Sequence, residues 1–190
     1  MKHLSVFLVL FAMASTALAD TFDLEPTHTY AYFKLDHLER GNLTGVFKDV
    51  TGTVRMDGKD SKKPSVDVTI QISSIDTFNK KRDEHLLGPD FFNAKRFKTM
   101  TFTSTRVKKK SGNKYEITGN LTIKGKTKEI TAKMTRGKTG NDPWGAYRAG
   151  GNVLFEFDRR DFGVGKKDFD APVIGNTVYV DFYWEAVRKK

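Results

Sequence analysis

The sequence predicts an all-β protein of eight antiparallel strands, and three observations carry that reading. Apolar residues recur at every second position in run after run, turn signals separate the runs, and the chain is long enough to close a sheet around a sizeable interior. Successive side chains of a strand point to opposite faces, so each run has one apolar and one wet side. Eight strands are about the number that closes a small barrel able to hold its own side chains or one ligand.

The first stretch is set aside before the strands begin. Lys2 supplies a positive start, Leu4 to Met13 a short apolar core, and Ala17-Leu18-Ala19 a small-residue cleavage site before Asp20. This is the three-part pattern of a secretory signal peptide, and its apolar run is too short to span a bilayer. Residues 1–19 are therefore expected to be a cleaved signal peptide, and residues 20–190 one domain.

The first strand is expected over His28 to Leu38, with Ala31, Phe33 and Leu35 on one parity, broken by Gly41-Asn42. The second runs from about Gly45 to Met56, and its parity slips between Phe47 and Val50, which predicts a bulge. Asp57-Gly58 ends it, and Lys59 to Pro64 reads as a polar loop. Val66, Val68, Ile70 and Ile72 alternate with polar residues in the third. The rhythm then stops: Asn79 to Leu87 reads as a short helix ended by Gly88-Pro89, within a non-strand segment reaching to Phe97. The adjacent pair Phe91-Phe92 does not alternate, and this segment is expected to plug or cover one end of the sheet. Strands resume over Thr99 to Val107, Lys114 to Lys124 and Thr127 to Arg136, the last two joined by a tight hairpin at Lys124-Gly125-Lys126. Asn141 to Gly145 is a turn cluster. Gly151 to Asp161 and Thr177 to Val187 are the final strands, separated by the loop Gly163 to Gly175.

Composition narrows the function. The chain has no cysteine, which excludes thiol and zinc–thiolate chemistry and leaves stability to the sheet and its core. The formal charge is +10, with basic clusters at Lys59 to Lys63, Lys80 to Arg82, Lys108 to Lys110, Lys124 to Lys128 and the C-terminus. Most lie at turns or ends, where they solubilise a β protein and discourage edge pairing. The alternative is attraction to an anionic membrane surface.

The blocks of sequence, taken in order, resemble the YceI-like family. Glu25-Pro26-Thr27-His28-Thr29 with Phe33 and His37-Leu38 resembles the family's start, followed by Gly45-Val46-Phe47, Gly52 and Ser74-Ile75-Asp76-Thr77. Arg82-Asp83-Glu84-His85-Leu86 followed by Asp90-Phe91-Phe92 is the strongest match. Thr101 to Thr105, Gly119 to Gly125 and Arg160-Asp161-Phe162-Gly163 complete it. Asp142-Pro143-Trp144-Gly145 with Arg148-Ala149-Gly150 is similar to periplasmic members from Gram-negative bacteria. Glu25 replaces the usual aspartate and Thr29 the common serine, and both keep an oxygen. The resemblance implies a lipocalin-like barrel, a periplasmic location and an isoprenoid or similar amphiphile inside.

The candidate lining is the inward parity: Phe33, Leu35, Phe47, Val68, Ile70, Phe102, Ile117, Leu121, Ile123, Ile130, Met134, Val153, Phe155, Val180 and Phe182. Burying a methylene is worth about 0.8 kcal/mol, so a prenyl tail has ample driving force to enter. A tail offers nothing polar to read, and selectivity is expected at the mouth. Candidates for a lid or headgroup contact are Arg82, Asp83, His85, Phe91, Phe92, His28 and His37. Arg82 is expected mainly to hold the lid, with a bidentate phosphate grip as the alternative. Trp144 is expected to pack, or else to anchor a rim or a membrane interface.

Two other classes compete. An enzyme finds little support: four histidines, one in the leader, and no HExxH, G-x-S-x-G or P-loop pattern. His28, His37 and His85 are too widely spaced for a metal-ligand motif, so no metal or cofactor is expected. A polyanion or nucleic-acid binder, or a structural barrel without a lipid, draws on the charge and on Tyr30, Tyr32, Tyr179 and Tyr183 at the outer parity. Most aromatics, however, share the parity of the aliphatic residues. The expected ligand is a quinone or prenyl phosphate, with oligomerisation left open.

Overall fold

A computed structural model describes residues 20–56 and 65–189. The expected signal segment and the expected loop at 57–64 lie outside the described residues. The elements are β1 Asp20–Leu24, β2 Tyr30–His37, β3 Gly41–Phe47, β4 Val50–Met56, β5 Ser65–Gln71, β6 Ile75–Asp76, α1 Lys80–Leu87, β7 Thr99–Lys109, β8 Lys114–Ile123, β9 Lys126–Arg136, β10 Gly140–Asn141, β11 Tyr147–Asp158 and β12 Thr177–Arg188.

These strands form eight antiparallel staves of a closed barrel. The sheet runs β10-β11-β9-β8-β7-β5-β4-β1-β12-β2-β3-β6, and pairing of β11 with β12 closes it. Four staves are bent pairs: β1 with β2, β3 with β4, β5 with β6, and β9 with β10. β1 and β2 share one edge of β12, through Leu24↔Ala186 and Tyr30↔Tyr183. β1 is an addition to the strands expected from alternation. Its three inward–outward steps are too few to read as a period, and its place depends on pairing with chain over 150 residues away.

Local chemistry makes the bends. Between β1 and β2, Glu25 accepts the Thr27 N–H at 3.2 Å and caps a short 3-10 turn. Thr29, fully buried, donates its hydroxyl to the Glu25 carbonyl at 2.8 Å. The Glu and Thr that depart from the family's usual residues thus perform the capping that their oxygens allow. The parity slip foreseen between Phe47 and Val50 is the break at Lys48-Asp49, where the strand changes partners from β2 to β1. At the β8–β9 hairpin Lys124 and Gly125 both take positive φ, +50° and +72°, the pair that a tight right-twisting turn needs. Phe33 lies over Gly45 across the β2–β3 pair; a Cβ there would stand 2.4 Å from the ring, so only glycine fits.

One end of the barrel carries a cap, built from residues 72–98 and 159–176, the β2–β3 turn and the β8–β9 hairpin. Asn79 caps α1 by accepting the Arg82 N–H at 3.1 Å, and Gly88 ends it, as its neighbours predict. The helix stops at Leu87 and turns follow, so the non-strand segment is less helical than its length suggested. Strand β11 also stops earlier than expected, at Asp158 instead of Asp161. Asp158 accepts the Arg160 N–H at 2.8 Å and turns the chain into a 3-10 segment at Arg159–Phe162. The cap is welded to the core by Ile72, Phe91, Phe162 and Val164, all buried. Helix α1 itself has no fully buried residue, and neither has the cap segment 165–176.

Candidate functional site

The barrel is hollow. A cavity of about 370 Å³ lies under the cap, and a second of about 80 Å³ lies deeper, toward the far end. The larger one falls within the roughly 300–1,000 Å³ of ordinary small-molecule pockets. Ile70, Met100, Leu121, Phe155 and Phe182 line both and form the partition between them. A long chain threading from the first chamber into the second would have to push past these side chains, and the flexible thioether of Met100 yields most readily.

The structure places all the inward-parity residues named from the sequence on these two walls. Phe33, Leu35, Phe47, Ile123 and Val180 line the upper chamber, Val68, Phe102, Ile117, Ile130, Met134 and Val153 the lower, and Ile70, Leu121, Phe155 and Phe182 both. Several of them, Phe33, Ile70, Phe102, Ile130, Val153, Phe155 and Val180, point inward yet are only half-buried. An inward apolar side chain in a close-packed core would be fully covered. These are not, because they face empty space.

The cap supplies the polar part. Arg82 donates Nε to Thr77 Oγ1 at 2.8 Å and Nη2 to the Thr77 carbonyl, while Asp83 accepts the Thr77 N–H at 2.9 Å. Both side chains therefore clamp the start of α1 to the strand end, the structural role expected of Arg82. Arg82 also lines the upper chamber, as do His85, His37, Phe91 and Phe92; Asp83 faces Thr77 instead. His28 does not join them. It stands on the outer face of the β1–β2 bend, its Nδ1 against Glu25 Oε2, away from both cavities. His28 and His37 therefore face opposite sides, as their opposite parity requires, although a 3-10 turn places His28 outside the strand that carries His37. Trp144 corrects a second expectation. It is 86% exposed rather than packed, because Asp142 accepts the Trp144 and Ala146 N–H groups at 2.9 Å and the Arg148 Nε at 2.6 Å, which builds a rigid turn with the indole on its tip.

Two features of the cap were not foreseen. Arg159 lines the upper chamber and is buried, with its guanidinium spent on the chain that caps it. Nε donates to the Gly175 carbonyl at 3.1 Å, Nη1 to Val164 at 2.9 Å, and Nη2 is shared among the Phe169 carbonyl at 2.7 Å, Asp170 Oδ1 at 3.0 Å and Asn176 Oδ1 at 2.9 Å. A signal was available: Arg159 continues the inward parity of Val153, Phe155 and Phe157, and a charge on that side must be paired. The second feature is the seam between the two cap segments. His85 packs edge-on against Phe91 and Phe169, and Lys166 Nζ meets Asp90 Oδ1 at 2.6 Å.

That ion pair sets the cap's pH response. The Lys166 ammonium holds the Asp90 carboxyl below its ordinary 3.8, with His85 at 3.8 Å adding a smaller attraction. A carboxyl depressed on folding contributes stability above its unfolded value and loses it as pH falls through the folded one. The Tm gap between the protein and Asp90→Asn should persist from neutral pH to about pH 5, shrink as the pH falls below 3.8 and vanish only once the pH has passed the lower folded value.

Comparison with known proteins agrees with this architecture. The family model for the YceI-like domain matches residues 22–186. A curated relative from Salmonella newport, Protein YceI, is 40% identical over 157 residues, 82% of each chain. Among solved structures, Burkholderia cenocepacia BcnA superposes with a TM-score of 0.76 at 26% identity, covering 86% of this chain and 99% of its own. The Campylobacter jejuni YCEI protein gives 0.73 at 31% identity, covering 82% and 90%. A polyisoprenoid binding domain from Saccharophagus degradans, implicated in plant cell wall breakdown, shares the fold at a TM-score of 0.67 and 16% identity, over 88% and 98%.

Proposed function

Since the chain belongs to the YceI-like family, we propose that it is a periplasmic binding or carrier protein that holds a polyisoprenoid or similar amphiphile, of quinone or prenyl phosphate type, in the barrel hollow. The observation that supports this reading most is the lining: inward aromatic and aliphatic side chains left half-uncovered around two adjoining empty chambers. Water in such a space has almost nothing to bond, whereas a hydrocarbon tail gains about 25 cal/mol for each Å² of apolar surface it covers. The tail lies inside the barrel along the two chambers, and the headgroup stays under the cap beside His37, His85 and the Nη1 of Arg82. The polyisoprenoid named for the Saccharophagus degradans domain is consistent with this occupant.

Binding, rather than catalysis, is the reading the site supports. The polar groups of the cap are engaged in holding it: Arg159 donates to backbone carbonyls, Asp170 and Asn176, Asp83 accepts from Thr77, and Arg82 donates two of its three nitrogens to Thr77. The signal segment read in the sequence supports export, and the periplasm is where such a protein would meet membrane-derived lipid.

Native mass spectrometry of the purified full chain, with lipid extraction, tests the proposal. One amphiphile per chain is the expected result. Protein that is empty under gentle conditions, and that binds single-stranded DNA with a steep salt dependence, would favour the polyanion reading instead. Replacing Lys108, Lys109 and Lys110 by glutamine should leave the lipid content unchanged, because these residues sit at the end of the barrel away from the cap and Lys110 pairs on the surface with Glu116 at 3.0 Å. Lost lipid in that variant would place the headgroup at the wrong end.

A further inference from the structure

Phe78 is held in solvent by the fold itself. Its ring is 77% exposed, and its φ of +62° puts a non-glycine residue in the left-handed region, where Cβ crowds the carbonyl. The backbone on either side is clamped. Thr77 is buried beneath Arg82 and Asp83, Asn79 caps α1, and the Phe78 N–H donates to Asp76 Oδ1 at 2.9 Å. The ring is thus rigidly presented, and among the described residues it belongs neither to the core nor to an aromatic pair. Lys80 and Lys81 follow, both exposed in the first turn of α1, the helix end at which the dipole disfavours cations. The hydrogen bonds around Thr77 and Phe78 hold the strained backbone, but no core contact takes up the ring and, among the described residues, no salt bridge takes up Lys80 or Lys81.

The position of this segment shows what would. It lies on the capped end of the barrel, beside the upper chamber that Thr77 lines. Leu38, with φ +58°, and Val173 are exposed at the same end and joined by a hydrogen bond from the Leu38 N–H to the Val173 carbonyl at 3.2 Å. Val173 also lines the upper chamber, so this apolar patch is continuous with the cavity wall. Arg40, Lys166 and Lys167 stand exposed on the cap as well, together with the acidic Glu39, Glu84 and Asp168. Lys95, Arg96, Lys98, Lys126 and Lys128 add exposed positive charge to the same end, and the Lys80–Lys81 pair is the part of it that lies beside Phe78.

We propose that the capped end docks on the surface of an anionic bilayer, with the Phe78 ring entering the interface and Lys80 and Lys81 meeting lipid phosphates. The inference rests on the reading of the hollow as a lipid site: docking would open the hollow onto the membrane that supplies its occupant. A Phe ring in the interface removes apolar surface from water, and lysines near an anionic surface add electrostatic attraction. The main competing anchor is Trp144, which projects from the turn before β11, at the opposite end of the barrel.

The test is co-sedimentation of the full chain with vesicles of equimolar phosphatidylethanolamine and phosphatidylglycerol, with pure phosphatidylcholine vesicles as the neutral control. Binding to the anionic vesicles alone, weakened by salt, is expected. Phe78→Asp should weaken it by about tenfold or more, and Lys80→Gln with Lys81→Gln by about fivefold per lysine. Trp144→Ala should leave it unchanged. Phe78 is exposed, so its variant should fold, and circular dichroism confirms that. Loss of binding in Trp144→Ala with Phe78→Asp unaffected overturns the proposal, as does the absence of any binding. Native mass spectra of the same samples separate the two readings: a lipid-loaded chain that ignores the vesicles sinks the docking face alone, and an empty chain that binds through Phe78 keeps the docking face while sinking the lipid reading.

Discussion

Phe155→Asp should strip the protein of its lipid while leaving it folded. Phe155 belongs to the partition between the two chambers, faces Val180 across the β11–β12 pair and stacks on Phe157 at 6.2 Å. It is half-buried because the hollow reaches it. In the empty barrel water can therefore solvate a carboxylate there, and the strand pairing that forms the stave is untouched. Against a hydrocarbon tail the same carboxylate has no partner. Leaving a charge unpaired against apolar groups costs at least about 3 kcal/mol, which is about a hundredfold in affinity. The measurement is lipid per chain by native mass spectrometry, beside near- and far-ultraviolet circular dichroism. Phe155→Leu, which keeps an apolar wall, should retain the lipid. A folded Phe155→Asp protein with its full complement of lipid would mean that the occupant lies elsewhere.

The largest loss of stability should come from Arg159→Leu. The guanidinium gathers the carbonyls of Gly175, Val164 and Phe169 with the side chains of Asp170 and Asn176, and the loop runs so close that Gly165, at φ +87°, has room for no Cβ beside Nη1. Leucine would leave these acceptors facing one another with no donor, and Asp170 without its cation. Breaking a buried, hydrogen-bonded charge pair from one side costs about 3–5 kcal/mol, or about 6–20 °C in Tm for a chain of this size. Arg159→Lys should recover only part of this, since an ammonium has three donors and no planar fork. Thermal unfolding followed by circular dichroism measures both. A Tm within about 2 °C of the parent for Arg159→Leu would show that the 159–176 segment contributes little to the fold.

Most of the barrel was legible because a strand writes its face into the sequence at period two. Val66 to Ile70, Ile117 to Ile123 and Val178 to Trp184 each name their own inward side, and the lining followed from parity alone. What was hidden lacks that period or depends on a distant partner. β1 is short and gains its meaning only from Ala186 to Arg188 and Thr53 to Met56. His28 and His37 looked like members of one strand; their opposite faces followed from parity, but the Glu25-capped turn that takes His28 out of the strand did not show. Trp144 looked like a residue to be packed, and three hydrogen bonds to one aspartate turned it outward.

By itself the sequence determined which faces of the strands are apolar, where the chain turns, and that residues 77–97 interrupt the sheet, since alternation, glycine chemistry and helix caps are local. It also carried, block by block, the likeness to the YceI-like family. Only the tertiary structure decided that the apolar faces enclose empty space instead of filling it, that Arg159 is consumed in holding the cap, and that Phe78 is pinned outward. Volume, charge pairing and exposure depend on what lies across the barrel, and no spacing along the chain records the distance between opposite walls.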